Sequence, residues 1–227
     1  MLQGVGVALR RGNRVLVGLR RNNHGGGTWA FPGGRVEFGE QFLTTAKREV
    51  YEETLLDIRK NTIWHRNPEQ SLRQLLSSPS KVEDQLRIFE AGTISINDAT
   101  SKMHLFVRIV VADVPEIDET LHPVNTEPQK CGGWHWVSWD VLRTLANGNE
   151  EECKNLPPPF NQGNKLFAPL RLLARSGWSP FDAYPELPPL PHAEVEAELR
   201  RDAEEQEKRK QEKCSASAEA HENKDGQ

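Results

Sequence analysis

Apolar positions fall into short runs of two kinds. Residues 4–9 and 15–19 are rich in β-branched side chains and are joined by Arg10-Arg11-Gly12-Asn13-Arg14. The Gly-Asn pair between them predicts a β-hairpin. Residues 28–31 predict a short strand running into Pro32-Gly33-Gly34, and residues 59–64 and 134–139 predict two more. The nearly continuous apolar run over 104–112 predicts a central strand buried on both faces. A helical period takes over at 40–54, which has no Gly or Pro and sets Leu43, Ala46, Val50 and Thr54 along one stripe. Further helices are predicted from Asp140, as N-cap or first-turn residue, through Ala146, and over 165–176, closed by Gly177.

The remaining stretches read as connections and extensions. Residues 66–98 combine a short helix over 69–76, a Ser/Pro turn and mixed polar positions. They are expected to be an insertion over one face, either a solvated excursion or a lid or dimer-contact element. Residues 150–163, with Pro157-Pro158-Pro159, read as loop, and Trp178 to Phe181 are expected to pack back on the domain. The expected organisation is a domain over 1–183, a Pro-rich linker over 184–191 and a charged tail over 192–227. That tail has too few apolar residues to fold alone, so a helix fading into disorder is expected.

Charge and cysteine content narrow the setting. A net charge of −4 over 227 residues leaves no basic footprint for duplex nucleic acid. A nucleotide remains open as a substrate, because a metal can supply local positive charge. Cys131, Cys153 and Cys214 are scattered and form no CxxC pair, which points to a reducing compartment and no structural zinc. The opening apolar run is too short for a signal sequence, and no segment has the apolar length of a membrane span. A soluble intracellular protein is expected, in the cytoplasm or the nucleus.

Chemistry concentrates between Gly33 and Leu56. On a helix at about 100° per residue, Glu49 and Glu53 share one flank and Glu52 lies roughly 60° from Glu49. Like charges so placed repel. A hard cation such as Mg²⁺ removes that cost, because it takes carboxylate and carbonyl oxygens together with substrate phosphates. Arg48, four residues before Glu52, is placed to orient that carboxylate. Arg20-Arg21, at the end of the second strand, suit a phosphate clamp. The bland alternative for the acidic set is a solvated helix face.

The spacing runs further than a lone ExxEE. Gly34, five residues, Glu40, seven residues, Arg48-Glu49, an aliphatic residue, one free position, Glu52-Glu53: this resembles the Nudix box, Gx5Ex7REUxEExGU, with U a bulky aliphatic. One position departs, Leu55 standing where the family usually has Gly. Either a different helix exit or local strain of about 1 kcal/mol is expected there. Residues 125–130, 134–136, 166–170 and 176–181 resemble a MutT-related subgroup of that family. The subgroup includes a human thiopurine-nucleotide diphosphatase and a plant dihydroneopterin-triphosphate and dinucleotide hydrolase.

The resemblance implies an α/β/α sandwich around a mixed β-sheet, Mg²⁺-dependent hydrolysis (with Mn²⁺ as a substitute), a nucleotide or related diphosphate as substrate, and commonly a homodimer. It implies metal binding by the Gly33 carbonyl, Glu49 and Glu53, while Glu52 would bind metal or position the attacking water; Glu52 is taken as the preferred base and Arg48, which orients it, as the second catalytic residue. Glu37 and Glu40 would support the loop or a further metal. Phe31, Trp29 and Phe167 could each wall a base by stacking or pack in the core or rim. Arg20 and Arg35 would face phosphates, and backbone at Leu170 and its predecessor would grip the base. Pro169 offers no N–H there. Gln129 stands where the subgroup has Glu, so an extra carboxylate from that loop must be Glu127. The leading expectation is release of pyrophosphate from a (deoxy)nucleoside or pterin triphosphate. Cleavage of NADH, another dinucleotide or a nucleotide sugar is the second, and an inactive binding module the third.

Overall fold

The alternating N-terminal residues build the hairpin that the other strands join. In the computed structural model, which describes residues 2–21, 25–58, 62–65, 86–98, 103–114 and 122–182, β1 (Leu2–Arg11) and β2 (Arg14–Arg20) pair only at the turn end, Arg11 opposite Arg14 and Arg10 opposite Val15. The strands then part. One edge of β1 runs parallel to β6 (Met103–Asp113). Its other edge receives the Gly-rich stretch: Val7 N donates to Pro32 O at 2.9 Å, Val5 N to Gly34 O at 2.9 Å and Val36 N to Gln3 O at 3.0 Å. Because that stretch occupies the edge, β2 turns instead to β3 (Thr28–Ala30) and to β7 (Cys131–Ser138), both antiparallel.

β5 (Leu86–Asp98) pairs antiparallel with β6, β4 (Thr62–His65) runs parallel to β5, and β8 (Lys165–Leu166) parallel to β3. The sheet is mixed, in the order β4-β5-β6-β1-β2-β3-β8 with β7 on β2. Helix α1 (Phe42–Thr54) covers one face, where Ala46 and Val50 meet Val5, Val7, Leu9, Leu16, Val110 and Ala112. The other face carries α2 (Trp139–Asn147) and α4 (Ala168–Arg175), whose Leu142, Leu170 and Leu173 join Ala8, Val15, Val17, Ile109 and Val111. Neighbouring residues of one strand thus point to opposite layers, as the pleat requires. The result is an α/β sandwich, and β6 is buried on both faces as its apolar run predicts.

Several boundaries move. Residues 86–98, expected to be the end of an insertion, form β5 in the sheet. A register shift between Glu90 and Gly92 puts Ala91 out of step, and this hides the alternation in the sequence. Within the expected loop 150–163 lies α3 (Glu150–Lys154), begun by a capping box between Asn149 and Glu152. The expected helix over 165–176 starts later, because Lys165 and Leu166 pair with β3. Asp140 lies in the first turn of α2, with Ser138 as N-cap. Trp178 packs back as expected: it is buried, and its carbonyl accepts from Trp139 Nε1 at 3.1 Å. Buried Arg10 fastens the same segment, donating to Asp113 Oδ1 at 2.7 Å and to Pro180 O at 2.6 Å. The short helix over 69–76, the linker and the tail lie outside the described residues. No helix among the described residues is long and apolar enough to cross a membrane.

Candidate active site

The acidic helix and the glycine turn are brought face to face by β1. Laying residues 32–36 along β1 leaves no room at Gly33, whose φ is 148° and where a Cβ would run into the Val5 carbonyl. α1 packs over the same strand and sets its acidic flank against this turn. Gly33 N donates to Glu53 Oε2 at 2.9 Å. A Cβ on Gly34 would collide with the carboxylate of Glu49, so that side chain lies directly on the turn's backbone.

Arg48 gathers the other carboxylates. Its guanidinium reaches Glu40 Oε1 at 3.0 Å and Oε2 at 2.9 Å, Glu49 Oε1 at 2.9 Å, Glu52 Oε2 at 3.0 Å and Arg35 O at 3.1 Å. Thr45 Oγ1 donates to Glu40 Oε2 at 2.7 Å, and Glu37 N to the same oxygen at 3.3 Å. Arg48 therefore ties the loop to the helix as well as orienting Glu52. The side chain of Glu52 is 56% exposed, against 14% for Glu49 and 12% for Glu40.

The charges fall into two groups. Bonds from Arg48 and Thr45 hold Glu40 down at about 2, and the bonds to Glu40, Glu49 and Glu52 raise the pKa of Arg48. Burial, helped by the Glu49 and Glu127 charges, pushes Glu53 up to about 7 against the opposing Gly33 N–H and Arg20. Burial also raises Glu49. Among the described residues no three His, Cys, Asp or Glu side chains form a closed cage for an ion. The donors nonetheless suit a hard cation. They are all oxygens, and the half-buried Glu49 and Glu53 repel each other and are repelled by Glu127, a repulsion that Mg²⁺ would relieve.

The expected substrate residues are less uniformly placed. The Arg20 guanidinium lies 4.5 Å over the ring of Phe167, and burial lowers its pKa against the pull of Glu53. Gly25 packs on that same ring, where a Cβ would collide with it. Phe31 stacks on Trp139 at 6.3 Å between centroids, and Arg35 is exposed. Leu170 is a core residue by its side chain, with its backbone in the first turn of α4. Trp29, also considered as a base wall, belongs to the core against His135 and Phe160.

Residues 122–131 form a strap that takes in the stretch 125–130 and its Glu127. Arg21 fastens one end, its N donating to Lys130 O at 2.8 Å and its Nη1 to Pro128 O at 3.0 Å. Val124 N donates to Thr54 O at 2.9 Å, and Thr126 Oγ1 donates to Glu52 O. Glu127 is paired with Lys130 Nζ at 2.6 Å and stands close enough to raise both Glu49 and Glu53. The contacts made by Thr45, Thr126 and Trp134 were not foreseen, although Thr126 and Trp134 lie in the stretches 125–130 and 134–136 that carry the subgroup resemblance and Thr45 lies on α1 a short step after Glu40.

A family model described as the NUDIX domain matches residues 2–156. A MutT NUDIX hydrolase from Burkholderia pseudomallei is similar at 19% identity and a TM-score of 0.48, over 76% of this chain and 95% of its own. DR0079 from Deinococcus radiodurans is similar at 17% identity and a TM-score of 0.45, over 77% of this chain and 80% of its own. The E. coli dihydroneopterin triphosphate pyrophosphohydrolase is similar at 18% identity and a TM-score of 0.43, over 63% of this chain and 84% of its own. Membership rests on the domain match, which takes in well over half of the chain: the protein belongs to the Nudix family of hydrolases.

Proposed function

We propose that this Nudix pyrophosphohydrolase, which acts on nucleoside diphosphate derivatives, takes a (deoxy)nucleoside or pterin triphosphate and releases the monophosphate and pyrophosphate. The observation that carries the reading is the pairing of half-buried Glu53 and Glu49 with the Gly33-Gly34 turn, next to Arg20. Glu49, Glu53 and Glu52, with the Gly33 carbonyl, would hold Mg²⁺ or Mn²⁺. A bound ion of that kind neutralises adjacent phosphates and lowers the pKa of water.

The chain's own groups account for the rest. Gly33 N fixes Glu53, and Arg48 fixes Glu49 and Glu52. Glu52, being exposed, can take a proton from an incoming water as that water's oxygen bonds to phosphorus. The P–O bond to the diphosphate breaks, and the departing oxygen keeps the electron pair. Arg20, held on Phe167, offers a planar donor to a phosphate oxygen. Phe31 and Phe167 offer ring surface to a base or pterin, and the likeness of residues 166–170 to the thiopurine-nucleotide and dihydroneopterin-triphosphate hydrolases supports this substrate class.

The test is a panel of dGTP, dihydroneopterin triphosphate, NADH and a nucleotide sugar with purified protein and Mg²⁺, with and without EDTA. Pyrophosphate from the triphosphates, abolished by EDTA, is expected. AMP from NADH alone would move the assignment to dinucleotides, and no release from any compound would leave a binding module. The homodimer that the resemblance suggests is checked by light scattering of the same sample.

A further inference from the structure

The last carbonyls of any helix lack partners inside it. In α1 those carbonyls belong to Glu52, Glu53 and Thr54, the segment that carries the acidic side chains. Each receives a donor from outside the helix: Thr126 Oγ1 to Glu52 O, Trp134 Nε1 to Glu53 O at 3.1 Å, and Val124 N to Thr54 O at 2.9 Å. The helix needs them. Its exit residue, Leu55, sits in the left-handed region at φ 58°, ψ 8°, and its last turn has no basic side chain to complement the carbonyl end. A left-handed Leu is strained, because its Cβ crowds the backbone, and unwinding the last turn would relieve that strain. Unwinding would carry Glu52 and Glu53 away from Gly33.

We propose that Thr126 and Trp134 are positioning residues for the pyrophosphohydrolase site: they clamp the Glu52 and Glu53 carbonyls and so hold the two carboxylates in register with the glycine turn. The inference rests on the functional reading above. Trp134 is suited to the task because its indole lies against Gly18 of β2, where a Cβ would strike the ring. The donor is thereby mounted on the sheet rather than on a loop. Thr126 sits in the strap that also presents Glu127, so one element sets the helix end and the neighbouring carboxylate together.

Thr126→Val removes its donor and keeps the shape, and Trp134→Phe removes the indole donor and keeps an aromatic ring. With the full chain, dGTP and Mg²⁺, each is expected to lower kcat about tenfold and the pair about 100-fold, with KM within about twofold, since small misplacements of reacting groups cost rate at this scale. Mn²⁺ affinity, read by electron paramagnetic resonance without substrate, should fall in the same order. Adding Leu55→Gly to the double variant relieves the strain and should recover at least about tenfold of both readouts. A lowered Tm with kcat and Mn²⁺ affinity intact would overturn the proposal, as would failure of Leu55→Gly to recover either. Should the wild type release nothing from dGTP while its Mn²⁺ affinity still falls in the variants, the functional reading fails and the clamp stands. Wild-type turnover and wild-type Mn²⁺ affinity in the variants would sink the clamp alone.

Discussion

The loop before α1 and the last turn of α1 each hold a carboxylate in a fixed place, yet the two are held in opposite ways. Glu40 is surrounded by protein donors, from Arg48, Thr45 and the Glu37 amide, and stays ionised down to about 2. Glu53 is taken out of water and given the Gly33 N–H while Glu49 and Glu127 repel it, so it holds its proton up to about 7. A carboxylate satisfied by the protein belongs to the scaffold. One buried among like charges is poised for a cation from outside. We read Glu40 as the anchor of the loop and Glu53 as the centre of the ligand site.

The sharpest way to break this contrast is Glu53→Gln. The amide still accepts from Gly33 N but cannot supply charge, and loss of a ligand should cost at least what loss of its supporting partner costs, more than about 100-fold in pyrophosphate release. Its Tm in EDTA at neutral pH should equal or exceed that of the wild type, since no buried carboxyl has to ionise. A variant with wild-type turnover removes Glu53 from the metal site. Glu40→Gln should do the reverse, lowering unfolding stability by about 1–2 kcal/mol through loss of charge-assisted bonds to Arg48. Its turnover should fall less than that of Glu53→Gln, and urea unfolding alongside the pyrophosphate assay checks both.

The pH dependence separates the two residues again. The folded value of Glu53, about 7, lies above its ordinary 4.5. The folded state therefore binds more protons in that window, and the contribution of Glu53 is full below 4.5 and is lost as pH rises to about 7. The folded value of Glu40, about 2, lies below 4.5, so its contribution is present above 4.5 and is lost as pH falls toward 2. In EDTA, Tm should decline by a few degrees on the neutral side and more steeply on the acid side. Glu53→Gln should flatten the neutral limb and Glu40→Gln the acid limb. Millimolar Mg²⁺ should restore the neutral limb of the wild type and not that of Glu53→Gln. Limbs unaffected by these substitutions would show that other groups set the profile.

The same contrast marks what could be read from the chain. Strands with unbroken apolar runs, such as β6, and the stripe of α1 followed from local pattern, because burial on a pleat or a helix face imposes the period directly. β5 escaped, since one bulged residue resets the alternation, and α3 escaped because its start is a side-chain capping box inside a Pro-rich stretch. Within the site, the carboxylates and the glycine pair were legible as a spaced motif. Their sorting into satisfied Glu40 and unsatisfied Glu53 was not, because it depends on Thr45, on the depth of burial and on Glu127, which arrives from a distant strap. The two readings open for Trp29, base wall or core, could not be separated for a related reason: an aromatic beside a Gly-rich turn looks the same whether it faces a cleft or the core.

The smallest expected effect concerns the exit of α1. Leu55 keeps the left-handed conformation a glycine would take, so of the two outcomes the sequence left open, strain is the one realised. Leu55→Gly removes that strain, worth roughly 1–2 kcal/mol. It also gives the unfolded chain more freedom, which offsets about 0.4–1 kcal/mol of the gain. Leu55 is 47% exposed, so little buried apolar contact is lost with it. The balance predicts a net stabilisation of about 0.5–1 kcal/mol, or a few degrees in Tm, with turnover unchanged while Thr126 and Trp134 are intact. A destabilised Leu55→Gly would mean that the leucine side chain contributes packing that outweighs its backbone cost. The contrast between a protein-satisfied loop and a ligand-dependent helix end would then need a second support at Leu55 itself.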